Sequence, residues 1–352
     1  MIDILQGIIP YISGLYTLPW ILVGFLVTII LSKLFDAQKV DKAMKKIGLI
    51  LLYFFVPFLL FRIFLNVDFG AEQLEFVVVT ALVITLMYLL AYVFALYRGE
   101  TLGLKNKEKR TFIKTVLTNQ GRSSAFIGGA LLTSPWSVEA AIFIALVGIA
   151  LFAVIPYLLS FMHKKESHHS DEHIDALPWY LKLYPWYLIS FVLAAVIIHG
   201  PLNISVDWQS TPSVLFIFFT ALTIPAALYY VGAGIHPRDL KISEMKKLFC
   251  LHQKQNIKDH WPWVRNTFFL TVILTPVVTS LILLFLFILN IIPSSWFAVI
   301  CINSFLPITS TNMFLVPYGI DKKTTALSVT WTTIICVPII VFLIYLFTIL
   351  FG

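Results

Sequence analysis

Residues 115–132 read Thr-Val-Leu-Thr-Asn-Gln-Gly-Arg-Ser-Ser-Ala-Phe-Ile-Gly-Gly-Ala-Leu-Leu, and apolar sequence flanks them on both sides. The position is that of a membrane helix, but the middle of the stretch is wrong for lipid. Asn119, Gln120, Gly121, Arg122, Ser123 and Ser124 put an amide pair, a flexible backbone point, a permanent charge and two hydroxyls in one short run. An arginine at bilayer depth costs about 2.5–3.5 kcal/mol on insertion scales, and such residues face protein or a wet cavity. Irregular backbone at that depth is tolerated only where it lines protein or water. The stretch therefore predicts a discontinuous helix at a binding site.

The rest of the chain agrees with a membrane setting. Of its 352 residues 59% are hydrophobic and 12% charged, against about 45–50% and 25% in soluble domains. That composition predicts an all-α polytopic membrane protein. A span needs roughly 20 mostly apolar residues, and about ten segments qualify: 15–35, 47–66, 74–97, 112–132, 138–161, 184–199, 211–235, 265–290, 294–316 and 324–350. Met1–Thr17 holds no Lys or Arg, so it lacks the charged start of a secretory signal. Cys250, Cys301 and Cys336 are scattered and make neither a metal spacing nor a disulfide framework. No metal and no cofactor is expected.

Positive charge tests the span count. Of the 25 Lys and Arg, 23 fall in the connections that follow spans one, three, five, seven and nine or within three residues of the span ends that border them. Basic residues mark cytoplasmic loops, so both termini are predicted to lie outside a plasma (inner) membrane crossed many times. The net charge of +7 is thus explained by orientation, and nucleic acid is not expected as a partner. Two basic residues remain. Arg62 sits near the outer end of span two and reads as interfacial; Arg122 lies deep in span four and reads as functional. The segment His163–Asp175 holds four histidines among acids and reads as a solvated linker, since its spacing fits no defined metal site. Pro237–His260 is basic and reads as a cytoplasmic surface segment beside anionic lipid.

The linker, 163–182, divides the chain into 1–162 and 183–352, with five spans each. Five is odd, so the second set enters from the opposite side. The expected architecture is therefore two inverted five-helix repeats with crossed discontinuous helices four and nine. Span nine echoes span four. It reads Ile302-Asn303-Ser304-Phe305-Leu306-Pro307-Ile308-Thr309-Ser310-Thr311-Asn312-Met313, an asparagine on entry, a breaker, then hydroxyls and an amide. Proline removes a backbone donor and clashes with the preceding turn. Paired interruptions at matching places are the best sequence pointer to a transporter's binding site. The predicted substrate-binding residues are Asn119, Gly121, Arg122, Ser123, Ser124, Asn303, Pro307, Thr309, Ser310, Thr311 and Asn312.

Several motifs carry a family resemblance. Leu18-Pro19-Trp20 with Val23-Gly24-Phe25, Val56-Pro57-Phe58-Leu59, Asn119-x-Gly121, Pro225-Ala226-Ala227-Leu228 with Gly232, Pro307, Tyr318-Gly319, Ser328-Val329-Thr330 and Val337-Pro338 follow one another along nearly the whole chain. In that order they resemble the auxin efflux carrier family and its bacterial members. The resemblance implies a scaffold of helices 1, 2, 6 and 7, often dimerising. It also implies a transport unit of helices 3–5 and 8–10, and organic anions such as small carboxylates as substrates. The chain departs from the family pattern at Arg122-Ser123-Ser124 and Gly128-Gly129.

The free N–H groups at half-helix N-termini suit a carboxylate. Arg122 could pair with it, or could stand in for a bound cation. No Asp or Glu occupies the middle of a span; Glu75 and Glu139 sit at span ends, which disfavours cation/proton exchange. His-Glu-x-x-His and Gly-x-Ser-x-Gly are both missing from the sequence, so an enzyme is not expected. The expected function is a secondary transporter or facilitator of a small organic anion with elevator-type alternating access. The alternatives are a membrane-embedded ligand sensor and a carrier of a non-carboxylate solute.

Overall fold

The computed structural model describes residues 2–68, 70–126, 131, 135–167, 179–206, 210–235, 240, 242–249 and 260–351. Gly128-Gly129, Cys250 and most of the linker lie outside the described residues. The described chain is helical, and its one β-type contact is an isolated bridge. Among the described residues, five helical stretches are long and apolar enough to cross a membrane: Lys42–Phe64, Ala71–Thr101, Thr211–Ala233, Trp261–Ile288 and Lys322–Phe351. Shorter apolar helices include Trp20–Leu34, Ser137–Ile149, Trp186–Leu202 and Ser294–Ser304. On Ala71–Thr101 the exposed large residues Leu74, Val78, Leu82, Leu89 and Val93 form one stripe. Helical spacing of four and seven keeps them on one face, and such a face suits lipid rather than water.

Four prolines coincide with a change in helix geometry, whereas Pro338 lies within the continuous helix Lys322–Phe351. Pro57, Pro156 and Pro276 each follow a π-helical turn, Leu51–Phe55, Ala150–Val154 and Phe269–Leu274 respectively. A proline ring clashes with the carbonyl four residues earlier. Those carbonyls belong to Tyr53, Phe152 and Val272, all inside the widened turns. Pro225 is accommodated differently: the helix Thr211–Ala221 ends four residues before it and a new one, Thr223–Ala233, begins.

The chain forms two compact units, and each half of the sequence contributes to both. Unit 1 comprises Met1–Val79, Ser124–Leu146 and Leu183–Ile235. Its central contact is between Trp20–Leu34 and Thr223–Ala233. Two glycines make that approach possible. A Cβ on Gly24 would lie 2.0 Å from the carbonyl oxygen of Tyr229, and one on Gly232 would lie 1.9 Å from that of Ile21. Without a hydrophobic drive between helices in lipid, small residues that let backbones meet supply the packing. Aromatic rings fill the space beside it: Phe55 stacks on Phe219 at 5.1 Å, and Phe58 meets Phe191 edge-on at 5.3 Å.

Unit 2 comprises Thr80–Ser123, Val147–Lys182 and His236–Gly352. One apolar cluster holds Ala91, Ala95, Phe112, Val116 and Leu270. The ring of Trp263 covers Phe112 at 5.3 Å. This cluster anchors the helix Asn106–Thr118, whose C-terminal end delivers the stretch quoted above.

Candidate functional site

Two helices of unit 2 stop inside the protein and stop in the same way. In Asn106–Thr118 the amides of Gln120 and Gly121 donate to Leu117 and Thr118 at 3.1 and 3.0 Å. In Ser294–Ser304 the amides of Phe305 and Leu306 donate to Ile302 and Asn303 at 3.1 and 3.2 Å. Tightened last turns of this kind absorb some of the free carbonyls at a helix end. Pro307 then prevents the second helix from continuing, because it has no N–H and pushes Leu306 away from helical geometry.

The two interrupted backbones satisfy one another. Ser123 N–H donates to Pro307 C=O at 2.8 Å, and Thr309 N–H donates to Gly121 C=O at 3.0 Å. Arg122 and Ile308 face each other across this antiparallel bridge. The Ile308 N–H donates to the hydroxyl of Thr332 at 3.2 Å. Every one of these groups would otherwise lack a partner in a dry interior. Beyond the bridge, Thr309 opens the 3₁₀ helix Ser310–Tyr318 by accepting from Thr311 N–H at 3.3 Å. Gly121 has a steric reason to be glycine. A Cβ there would lie 2.6 Å from both Asn312 Oδ1 and a methyl of Leu151.

Arg122 is 3% exposed. Its Nη1 donates to the carbonyl of Leu306 at 2.9 Å and its Nη2 to Gln120 Oε1 at 3.2 Å. Gln120 in turn donates through Nε2 to Thr275 Oγ1 at 3.2 Å. The cation therefore sits at the carbonyl end of a broken helix, where the helix dipole is negative. Asn119 donates weakly to Thr325 Oγ1, at 3.4 Å.

Several buried polar atoms in the same segments have no hydrogen-bond partner. They are Arg122 Nε, Asn119 Oδ1, Ser310 Oγ, and both side-chain heteroatoms of Asn303 and of Asn312. The large majority of buried side-chain polar atoms are paired, so a set of unpaired ones in two short segments makes this the candidate site.

The structure places Asn119, Gly121, Arg122, Ser123, Pro307, Thr309 and Asn312 around the bridge. Asn303 lies one turn before the second break, Ser310 follows it in the 3₁₀ helix, and Thr311 is half-buried there, its hydroxyl 2.9 Å from that of Thr309. Ser124 is half-buried and belongs to unit 1. Gln120, Thr275, Thr325 and Thr332 were absent from the predicted set. Thr325, Ser328 and Thr332 fall at helical spacing in Lys322–Phe351 and are fully buried. Such a hydroxyl row in an apolar span is a signal that sequence alone can offer. Lys114, counted above with a loop, is 2% exposed inside the helix Asn106–Thr118. Arg62 is half-buried and donates to the Ile217 carbonyl at 3.0 Å.

Compared with known proteins, the chain matches no family model and no curated protein sequence.

Proposed function

We propose that the chain is a secondary transporter or facilitator that moves a small organic anion, a carboxylate, across the plasma membrane. The observation that carries this reading is the pair of helix breaks in unit 2. They share backbone hydrogen bonds, bury one guanidinium, and hold amide and hydroxyl groups that no protein group satisfies. Buried amides without protein partners are completed by a ligand or by bound water, and polar groups at membrane depth mark solute pathways.

In this reading the chain has ten spans in two inverted five-helix repeats. Both termini lie outside, and the broken spans are four and nine, as in carriers of the auxin efflux type. Elevator-type alternating access would carry the substrate, and helices 1, 2, 6 and 7 would serve as a dimerising scaffold. Arg122 acts here as the fixed cation rather than as the hand that grips the substrate. Each Nη spends one of its N–H donors, on Leu306 and on Gln120, and Nε has no protein partner. The positive charge persists at the break and attracts the anion, while Asn303, Asn312 and Ser310 supply its hydrogen bonds.

Purified protein in liposomes, given labelled succinate and a panel of mono- and dicarboxylates, tests the reading. Saturable uptake or exchange is expected, and a matching thermal stabilisation that grows with the logarithm of ligand concentration. A panel that neither moves nor stabilises, with amines stabilising instead, ends it.

A further inference from the structure

Unit 1 contains a cavity of about 360 Å³, within the range of small-molecule sites. Every residue that lines it belongs to unit 1. Among the described residues its one charged lining residue is Arg62. The Arg62 guanidinium spends Nη1 on the Ile217 carbonyl, and its other nitrogens pair with no described residue. Asn66, Ser13 and Ser137 add polar groups to the wall, and Ser137 opens the helix Ser137–Ile149. The free amides of a first helical turn carry partial positive charge. Elsewhere the wall is aliphatic, with Ile9, Leu59 and Ile224 among it. No acidic side chain lines the cavity among the described residues.

We infer that this cavity binds an anionic amphiphile, with its carboxylate or phosphate head on Arg62 and its apolar chain along the aliphatic wall. The uncommitted edge of Arg62, half-buried beside an aliphatic wall, gains a charge-assisted pair when an anion binds. The guanidinium fork matches an oxyanion with two parallel bonds. A neutral solute would leave that edge unpaired, and a hydrophilic anion would leave the aliphatic wall wet. The occupant therefore has both ends. This site does not depend on the transport reading: its ligand, its unit and its readout are separate.

The test is binding of labelled decanoate to the purified full chain in non-ionic detergent, with 1-decanol as the neutral competitor. Native mass spectrometry of co-purified phosphatidylglycerol against phosphatidylcholine forms a second arm. Losing a charge-assisted pair should weaken decanoate by roughly 10- to 100-fold in Arg62→Gln. Ala221→Leu, which adds bulk to the cavity wall without touching the charge, should weaken it as well. It covers the case in which Arg62→Gln fails to fold. Decanoate binding that both variants lose identifies a free fatty anion. Retained phosphatidylglycerol that both variants lose identifies a bilayer lipid. Decanol competing as well as unlabelled decanoate, variants that bind like the parent, or a parent that holds neither probe would overturn the proposal.

Discussion

The guanidinium of Arg122 reaches the backbone carbonyl of Leu306 at 2.9 Å, across 184 residues of sequence. A side chain from one broken helix thereby caps the end of the other. This makes Arg122 a structural member of the break as well as its charge. Arg122→Gln keeps a donor but loses the fork that serves Leu306 and Gln120 together. Its loss should cost about 1.5–3 kcal/mol, the range for a hydrogen bond to a charged group. A thermal melt of the purified protein should fall by several degrees, and Arg122→Lys should recover only part of it, since a lysine cannot present two parallel donors. A melt unchanged in both variants would show that the cap contributes nothing.

Thr332 supplies the side-chain partner for Ile308 N–H and itself donates to Ser328 C=O at 2.7 Å. Thr332→Val preserves shape and removes the acceptor. The buried amide is then left unpaired, at about 1–3 kcal/mol. Thr332→Ser should behave nearly as the parent. Hydrogen exchange read at the Ile308 amide should accelerate in Thr332→Val alone; equal exchange in all three proteins would contradict the assignment.

Some of this was legible in sequence, and the reasons are physical. A Gly-Arg-Ser-Ser run and a proline followed by hydroxyls cannot continue an apolar helix, so Gly121 and Pro307 announce where helix stops. Their pairing is another matter. The bridge between Arg122 and Ile308 joins positions with no shared periodicity, and backbone hydrogen bonds leave no mark on residue type. Lys114 misled for a related reason. It follows the basic run Lys105–Arg110 and reads as one more loop charge, although the helix has already carried it into the interior. The prolines signalled perturbed helices, yet not that three would be absorbed by a π-helical turn and a fourth by a break. That choice depends on what packs against the widened turn. The hydroxyl of Thr223 donating to Phe55 C=O at 3.3 Å is one such partner.

Gly24 and Gly232 predict a sharp steric threshold. A Cβ at 2.0 or 1.9 Å from a backbone oxygen cannot be relieved by a side-chain rotation, so the two helices must separate. Overpacking a tight contact costs about 1–3 kcal/mol, occasionally more, and backbone against backbone belongs at the upper end. Gly24→Ala and Gly232→Ala should each reduce the yield of monodisperse protein in size-exclusion chromatography and lower its melting temperature. Gly200→Ala, where a Cβ meets nothing within 4 Å, should pass unnoticed. A Gly24→Ala protein as stable as Gly200→Ala would mean that the helices are not packed this closely.

Asn303 and Asn312 separate a binding role from a structural one. Each is at most 1% exposed and has both side-chain heteroatoms unpaired. An amide kept only for folding would be hydrogen-bonded, and replacing it with an apolar residue would destabilise. An orphan amide kept for a ligand does the opposite: Asn→Leu removes an uncompensated buried dipole and should raise stability by about 1–3 kcal/mol, as sites built for function often sacrifice stability. Asn312→Leu should therefore melt higher than the parent while losing anion flux and anion-dependent stabilisation, and Asn303→Leu should follow it. Gly121→Ala gives an independent check, because its Cβ would push directly on Asn312 Oδ1 and on one leucine methyl. Both are flexible side-chain ends, and the Thr118 carbonyl oxygen at 3.2 Å needs only a small shift, so the protein should fold, with flux reduced through displacement of Asn312. If the two leucine variants melt lower and transport normally, these amides belong to the fold and the ligand sits elsewhere.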